Sequence, residues 1–598
     1  MDRPAVPRMS GIMSHTFRVD LRGIIDLLSH HLYSSPRVYV RELLQNAVDA
    51  ITARRELDPS CPADVTITCG PTLTITDTGI GLTETEVHEL LSTLGRTSKR
   101  DDLGFAREGF LGQFGVGMLS CFLVASSVTV VTRSARGGPA VRWEADSSGN
   151  YTVSEVDTAD GDVPVGTTVR LSASRGNEHW LEADVVRPLV SDYGDLLPAV
   201  VTLDGAVVTR GERPWDDEDA DLSEYCEQIF GFTPFEAIPI EVEAAGLTGV
   251  AFVLPSGVHP GTRQTHRVYL KRMLVGDTVE GLLPDWAYFV RCVVDASAIR
   301  PTASRESLYQ DEMLLAVREE LGEQIRDWLI RLDAIEPRRA GELLAAHHLG
   351  IKSLARSDDE MLRLVERWLP FETTDGPVPL RQFRRKHGAI LYIPDVDEFH
   401  QLAPVAAAQG LGLVNAGYAY DLELLNRLSA LDGPAVARRV APTELLAALA
   451  DPEPDIETAL RLRLSEGAAA LDRHDCDAVI RDFDPVSLPA LLISNAEQQR
   501  KLDTEQTAEE TTDPLWAELL GQLTAGSSSS RPEQLVLNCR NPLVQRLARL
   551  TDPSLVELTL ESLYVHAVLQ ARRPMRPKDT AALNRSFLEL LDRAVGGK

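Results

Sequence analysis

Cysteine is scarce in this chain of 598 residues: there are seven, Cys61, Cys69, Cys121, Cys226, Cys292, Cys476 and Cys539. They are odd in number, widely scattered and contain no C-x-x-C pair. A reduced, cytoplasmic setting fits this better than a disulfide framework or a thiolate zinc site, and is expected. The 13 histidines show no metal-ligand spacing. No apolar run reaches the roughly 18 residues a membrane span needs, so no membrane contact is expected. The N-terminal stretch MDRPAVPRMSGIMS lacks an apolar core followed by a small-residue cleavage site, so export is not expected. Basic residues are also in deficit, 60 against 89 acidic ones, for a net charge of −29. Such an excess argues against a non-specific grip on nucleic acid. No repeat of fixed period is present.

What the chain has is an ordinary globular composition, 44% hydrophobic and 25% charged, and enough length for three or four domains. A first block, residues 1–208, opens with helical patterning over 20–56. Strand-like alternation follows in DVTITCG, PTLTITDTG, SSVTVVTRS, AVRWEAD and GTTVRLS, a mixture that predicts an α/β sandwich. The acidic stretch RGERPWDDEDADLSE (210–224) reads as a linker, with bounds 209–224. A second block, 225–450, has strands near IPIEVEA, GVAFVLP and HRVYLKRMLV, helices over 310–332 and 357–369, and a buried strand in ILYIPD. A third, 451–598, is helix-rich toward its end and contains the loop TAGSSSSRP.

Four clusters carry chemistry. In PRVYVRELLQNAVDAITA, Glu42, Asn46 and Asp49 recur at i, i+4 and i+7 and share one helix face, with Ser35 and Pro36 suiting the helix start. A carboxylate beside an amide suits a magnesium–triphosphate site, the amide joining the metal shell and the carboxylate orienting a water. A solvated helix face is the alternative. In ITDTGIGL, Asp77 stands at a strand end and can accept a hydrogen bond from an exocyclic amine such as adenine's, while Gly79 and Gly81 let backbone approach a ligand. A D-x-G-x-G hairpin turn would have the same letters. In GFLGQFGVGMLSCFLVA, glycines 109, 112, 115 and 117 precede an apolar segment read as a helix, where N–H groups can cradle phosphates. It is neither a P-loop nor a dinucleotide fingerprint. In GTTVRL, Thr167 and Thr168 begin a strand and could reach a base or a bridging water, or simply be strand residues.

Taken in order, the four clusters resemble the ATP fold shared by gyrase, heat-shock protein 90, histidine kinases and mismatch-repair ATPases. YSSPRVYVRELLQNAVDA, GQFGVGMLSCFLVA and VYLKRMLVGDTVEGLLPDWAYFVRCVVDASAIRPTASRESLYQ resemble heat-shock protein 90 chaperones of the bacterial form. LNCRNPLVQRLARL (537–550) resembles that family's C-terminal domain. The resemblance implies an α/β multidomain protein: an N-terminal Bergerat-type ATP-binding α/β sandwich, an α/β middle domain and a helix-rich α+β C-terminal dimerisation domain. It implies an ATPase acting as an ATP-dependent chaperone, a homodimer that clamps and releases non-native client proteins.

Carried over residue by residue, the resemblance makes Glu42 the group that activates the hydrolytic water. Asn46 would bind Mg2+ through ATP, and Asp49 would lie near the ribose. Asp77 would accept the adenine amine with a water shared by Thr167, and Gly81 and Leu82 would line the adenine pocket. Gly112, Gln113, Phe114, Gly115, Val116 and Gly117 would wrap the phosphates. Residues from about Leu91 to Gly112 would form a lid, with Arg96 where the family usually has lysine. Arg305 would reach the γ-phosphate from the middle domain, where a guanidinium stabilises charge on transferring oxygens. The chain departs from the family at Thr302 and Tyr309, usually asparagine and glutamine, at Ile299-Arg300-Pro301, usually leucine-proline-leucine, and at Ala53, usually lysine. Two other readings share the same pocket: an adaptor that binds ATP with little hydrolysis, and a nucleic-acid-acting relative, which the net charge disfavours.

Overall fold

Helix α1 (Val38–Leu57) carries the first polar triplet and buries Val40, Leu43, Leu44, Ala47, Val48 and Ile51 in the core of the first domain. Its start corrects the expected cap. Pro36 and Arg37 form a turn before the helix, in which the Tyr39 N–H reaches the Pro36 carbonyl at 3.2 Å. The Ser35 hydroxyl accepts the Arg37 N–H, at 3.4 Å, outside the helix. Arg54 and Arg55 in the last turn face the negative end of the helix dipole.

The structure, a computed structural model, describes residues 35–91, 117–156, 163–259, 262, 265–302, 304–494, 531 and 533–596. It divides into two compact units, Met1–Leu329 and Ile330–Lys598. In the first, eight strands form one sheet: β1 (Asp64–Thr68), β2 (Thr72–Asp77), β3 (Ala125–Arg133), β4 (Val141–Asp146), β5 (Tyr151–Glu155), β6 (Gly166–Ala173), β7 (Val200–Leu203) and β8 (Ala206–Val207). Their order is β5-β4-β3-β6-β2-β1-β7-β8, antiparallel except for the β1–β7 pair. Alternation along the strands sends Val65, Ile67, Leu73, Ile75, Val128, Val130, Val169 and Leu171 into the core that α1 covers. The glycine-rich segment expected to open a helix is described only from Gly117, where a 3-10 helix runs to Leu123.

A second sheet in the same unit has the order β12-β11-β13-β10-β9, from β9 (Glu236–Val242), β10 (Leu247–Val253), β11 (His266–Leu270), β12 (Met273–Val279) and β13 (Val290–Ala296). Here the expected single strand HRVYLKRMLV is two strands joined by a hairpin, with Leu270 opposite Met273. Lys271 and Arg272 both adopt left-handed backbone, φ 49° and 67°. Such turns usually signal themselves with Asn or Gly. This one is held by its surroundings: the Lys271 N–H bonds the Ala296 carbonyl at 2.9 Å, and the Arg272 N–H bonds the Asp295 carboxylate at 2.8 Å. The acidic stretch 210–224 lies against this sheet, Arg213 pairing with Asp295 at 3.3 Å and the Trp215 indole donating to Thr248 at 3.2 Å. The long helix α2 (Glu312–Ile335) follows, its buried side running through Leu314, Val317, Leu321, Ile325 and Leu329.

The second unit holds helix α3 (Asp359–Trp368), helix α4 (Leu380–His387) and a five-stranded sheet of order β15-β14-β17-β16-β18. Its strands are β14 (Pro370–Thr373), β15 (Gly376–Pro379), β16 (Ile390–Ile393), β17 (Leu413–Asn415) and β18 (Ala437–Arg439). A three-stranded sheet, β19-β21-β20, follows from Cys476–Arg481, Glu533–Asn538 and Ala490–Ser494. Among the further helices of the unit, α5 (Pro553–Gln570) and α6 (Pro577–Gly596) are the last two in the chain. The chain is thus an α/β multidomain protein. Among the described residues no helix is long and apolar enough to cross a membrane.

Candidate functional site

Asp77 is the last residue of β2, and the period of two that buries Leu73 and Ile75 buries it as well, to 8% exposure. Its carboxylate accepts the Gly79 N–H at 2.8 Å and a hydrogen bond from the Thr167 backbone. Burial pushes its pKa up to about 7, against the downward pull of those two donors. A carboxylate has about four acceptor positions, so two backbone donors leave room for an exocyclic amine.

Strand register supplies the rest of this end. Thr167 lies opposite Asp77 across β2–β6, and Thr132 lies opposite Thr167 across β3–β6. The Thr132 and Thr167 hydroxyls are 3.1 Å apart, and Thr132 also accepts the Leu82 N–H at 2.9 Å. Two positions here admit only glycine. At Gly81, φ 65°, a Cβ would come within 2.0 Å of the Arg133 carbonyl oxygen; at Gly166, φ 136°, it would come within 2.1 Å of the Asp77 carbonyl oxygen. The loop Asp77–Leu82 is tied to α1 by the Ile80 N–H on the Ala50 carbonyl, at 2.9 Å. This brings it to the stretch of helix where Asp49 is buried and Asn46 half-buried.

Glu42 lies two turns nearer the start of α1, buried to 5% exposure. Gly117 backs onto it so closely that a Cβ there would stand 2.4 Å from the Glu42 Oε2. Arg305 comes from 263 residues away, its Nη1 at 3.1 and 3.2 Å from the two Glu42 oxygens and also donating to the Gln45 side-chain oxygen. Arg41, itself buried, holds the arriving loop by its backbone: Nη1 donates to the Arg305 carbonyl at 2.9 Å and Nη2 to the Ser304 carbonyl at 2.7 Å. Arg305 has a left-handed backbone, φ 55°.

The helix therefore joins two groups: Asp77, Gly81, Leu82 and Thr167 near Asn46 and Asp49, and Gly117 with Arg305 at Glu42. Arg96, Gly112, Gln113, Phe114, Gly115 and Val116, and with them the expected lid, lie outside the described residues. Sequence reasoning missed Arg41, Gln45 and Thr132. Gln45 was within reach of it, being three residues after Glu42 and so on the same stripe. Thr132 had no signal short of the strand register. Among the described residues no group of three or more His, Cys, Asp or Glu could hold a metal. A single half-buried amide, Asn46, beside the buried Glu42 carboxylate could hold a magnesium ion only if phosphate oxygens supplied most of its ligands.

Residues 33–162 match the family described as histidine kinase-, DNA gyrase B-, and HSP90-like ATPase, and residues 258–361 match the Hsp90 protein family. The chain is 28% identical over 426 residues to the chaperone protein HtpG of Mycolicibacterium gilvum, covering 61% of this chain and 65% of that one. It is 27% identical over 351 residues to the HtpG of Oleidesulfovibrio alaskensis (53% and 54% covered) and 32% identical over 337 residues to that of Methylobacterium nodulans (51% and 54% covered). The chain thus spans between about half and two thirds of the length of these relatives. The two matched segments stand in order on one chain, and in both the chain is similar to Hsp90-type proteins.

Proposed function

We propose that this protein is an ATP-dependent molecular chaperone whose ATPase site is completed by Arg305. The observation that carries the reading is the ion pair between Arg305 and Glu42, which joins a loop beyond the second sheet to the helix of the first domain. Asp77 takes the adenine amine, with Thr167 holding a shared water and Gly81 and Leu82 lining the base. Asp49 faces the ribose. Asn46 holds Mg2+, which neutralises phosphate charge when bound. Gly117, with Arg96 and residues 112–116, wraps the phosphates.

Hydrolysis requires the ion pair to exchange partners. The Glu42 carboxylate turns to a water and takes its proton, while the Arg305 guanidinium turns to the transferring phosphate oxygens. Since the guanidinium arrives on a separate loop, chemistry depends on docking of that loop. Coupled to closure and release, this gives a clamp on non-native client proteins in the cytoplasm. A homodimer through the C-terminal region is supported by α6, where Phe587, Leu588, Leu591 and Val595 form an exposed apolar face. Glu42→Ala should bind ATP and fail to hydrolyse it; hydrolysis at the wild-type rate would remove the assigned role. Suppression of aggregation of a heat-labile protein, with and without ATP, tests the chaperone reading.

A second reading, an ATP-binding adaptor with little hydrolysis, is favoured by one observation. Thr302 turns inward to Ser304 and Ser307, at 3.2 Å each, and Tyr309 is 58% exposed, so neither adds a polar group at Glu42. Single-turnover hydrolysis separates the two.

A further inference from the structure

In a chain of net charge −29, positive charge collects at one hollow of the second unit. Helices α3 and α4 border a cavity of about 560 Å3 lined by Arg363, Glu366, Arg367, Arg381, Arg384 and Arg385. The helical repeat explains the gathering. Arg363, Glu366 and Arg367 recur at i, i+3 and i+4 on α3, as Arg381, Arg384 and Arg385 do on α4, while Leu362, Val365, Leu380 and Phe383 turn inward.

Carboxylates answer part of this charge. Arg363 pairs with Glu366 at 3.2 Å and with Asp432, Arg384 shares both of those carboxylates, and Arg367 pairs with Asp333 at 2.6 Å. Arg381 and Arg385, one turn apart and exposed, have no hydrogen-bond or ion-pair partner among the described residues. A solvated arginine on a surface is ordinary. Like charges one turn apart repel, however, and here they face a hollow that three further guanidinium groups already line.

The wall also selects. The cavity lining holds no aromatic or aliphatic side chain, so nothing grips a base or an acyl chain. Guanidinium forks match the oxygens of phosphate in pairs. The volume suits a small ligand. We propose that this cavity binds a compact, multiply charged phosphate chain through Arg381 and Arg385, backed by Arg363, Arg367 and Arg384. The chain is either a free oligophosphate or the phosphate tail of a larger molecule whose remainder stays in solvent.

The test is calorimetric titration of the full chain and of its R381Q/R385Q variant with tripolyphosphate, orthophosphate, ATP and a glutamate-rich peptide. Both side chains are exposed, and an unchanged melting temperature verifies the fold; Arg385→Gln alone serves as a milder second variant. The expected result is a tripolyphosphate site weakened about tenfold or more in the double variant, as loss of two charge-assisted contacts implies. Loss of a second ATP site alongside it identifies the tail of a larger molecule, and loss for tripolyphosphate alone identifies a free oligophosphate. Equal tripolyphosphate binding by both proteins overturns the proposal, as does a cavity that takes the acidic peptide in preference to tripolyphosphate.

Discussion

Truncating Arg41 should slow ATP hydrolysis while leaving nucleotide binding nearly intact. Arg41 touches none of the groups proposed to meet adenine; Nη1 and Nη2 go to the carbonyls of Arg305 and Ser304, and Nη2 also lies 3.7 Å from the Glu42 carboxylate. Hydrogen bonds from a charged donor contribute about 1.5–3 kcal/mol each, so the pair is worth at most about 3–6 kcal/mol. Water can replace part of that, and Arg305 keeps its own contacts with Glu42 and Gln45. A net loss of about 2–3 kcal/mol in docking of the loop is therefore expected, which lowers turnover about 30- to 150-fold. Steady-state magnesium-dependent ATPase rates report the loss. Calorimetry with a non-hydrolysable ATP analogue should show affinity within about threefold of wild type. Arg41→Lys should fall between, because an ammonium lacks the fork that spans two carbonyls. A folded Arg41→Ala protein that turns over within about threefold of wild type would refute the reasoning.

Asp77→Asn should cost ATP affinity and yet stabilise the ligand-free protein at pH 8. Because burial raises the folded pKa from 3.8 to about 7, the folded state holds a proton that the unfolded state has released in that window, and stability is lost as pH rises through it. The variant lacks this loss, so its melting temperature should exceed wild type's at pH 8, with the gap closing toward pH 4; a wild type that melts higher at pH 8 contradicts the sign. In the wild type, ATP affinity should rise between pH 6 and 8 as the accepting carboxylate ionises. In the second unit, Lys352 and Asp421 form a buried pair at 2.6 Å, and burial pushes the Asp421 pKa up against the pull of Lys352. Lys352→Met should lower unfolding free energy in urea by about 3–5 kcal/mol, and adding Asp421→Leu should restore most of it. A single variant within about 1 kcal/mol of wild type would show the pair to be well hydrated.

Much of the first domain was legible because its rules are local. The 3.6-residue repeat puts Glu42, Asn46 and Asp49 on one stripe, and the two-residue repeat that buries Ile75 buries Asp77 too. The glycines of ITDTGIGL were legible as glycines, but the reason for Gly81, the carbonyl of Arg133 against it, depends on a strand distant in the sequence. What stayed hidden is what the backbone of one segment does to another. Arg41 binds carbonyl oxygens, which carry no residue identity. Thr132 enters through register. The Lys271-Arg272 turn is made by contacts with Asp295 and Ala296, not by turn residues of its own. Arg305 was reached only through family resemblance, since no spacing rule links positions 263 residues apart.

The left-handed backbone of Arg305 has a consequence for how firmly its loop is held. An L-residue held there gives up about 1–2 kcal/mol that glycine would not. Glycine would relax the chain and delete the guanidinium, so the position answers to its side chain against its own backbone. The contacts that hold the loop down are thereby partly offset by the cost of its own backbone. The net hold on the loop is therefore weaker than its hydrogen bonds and ion pair alone would make it.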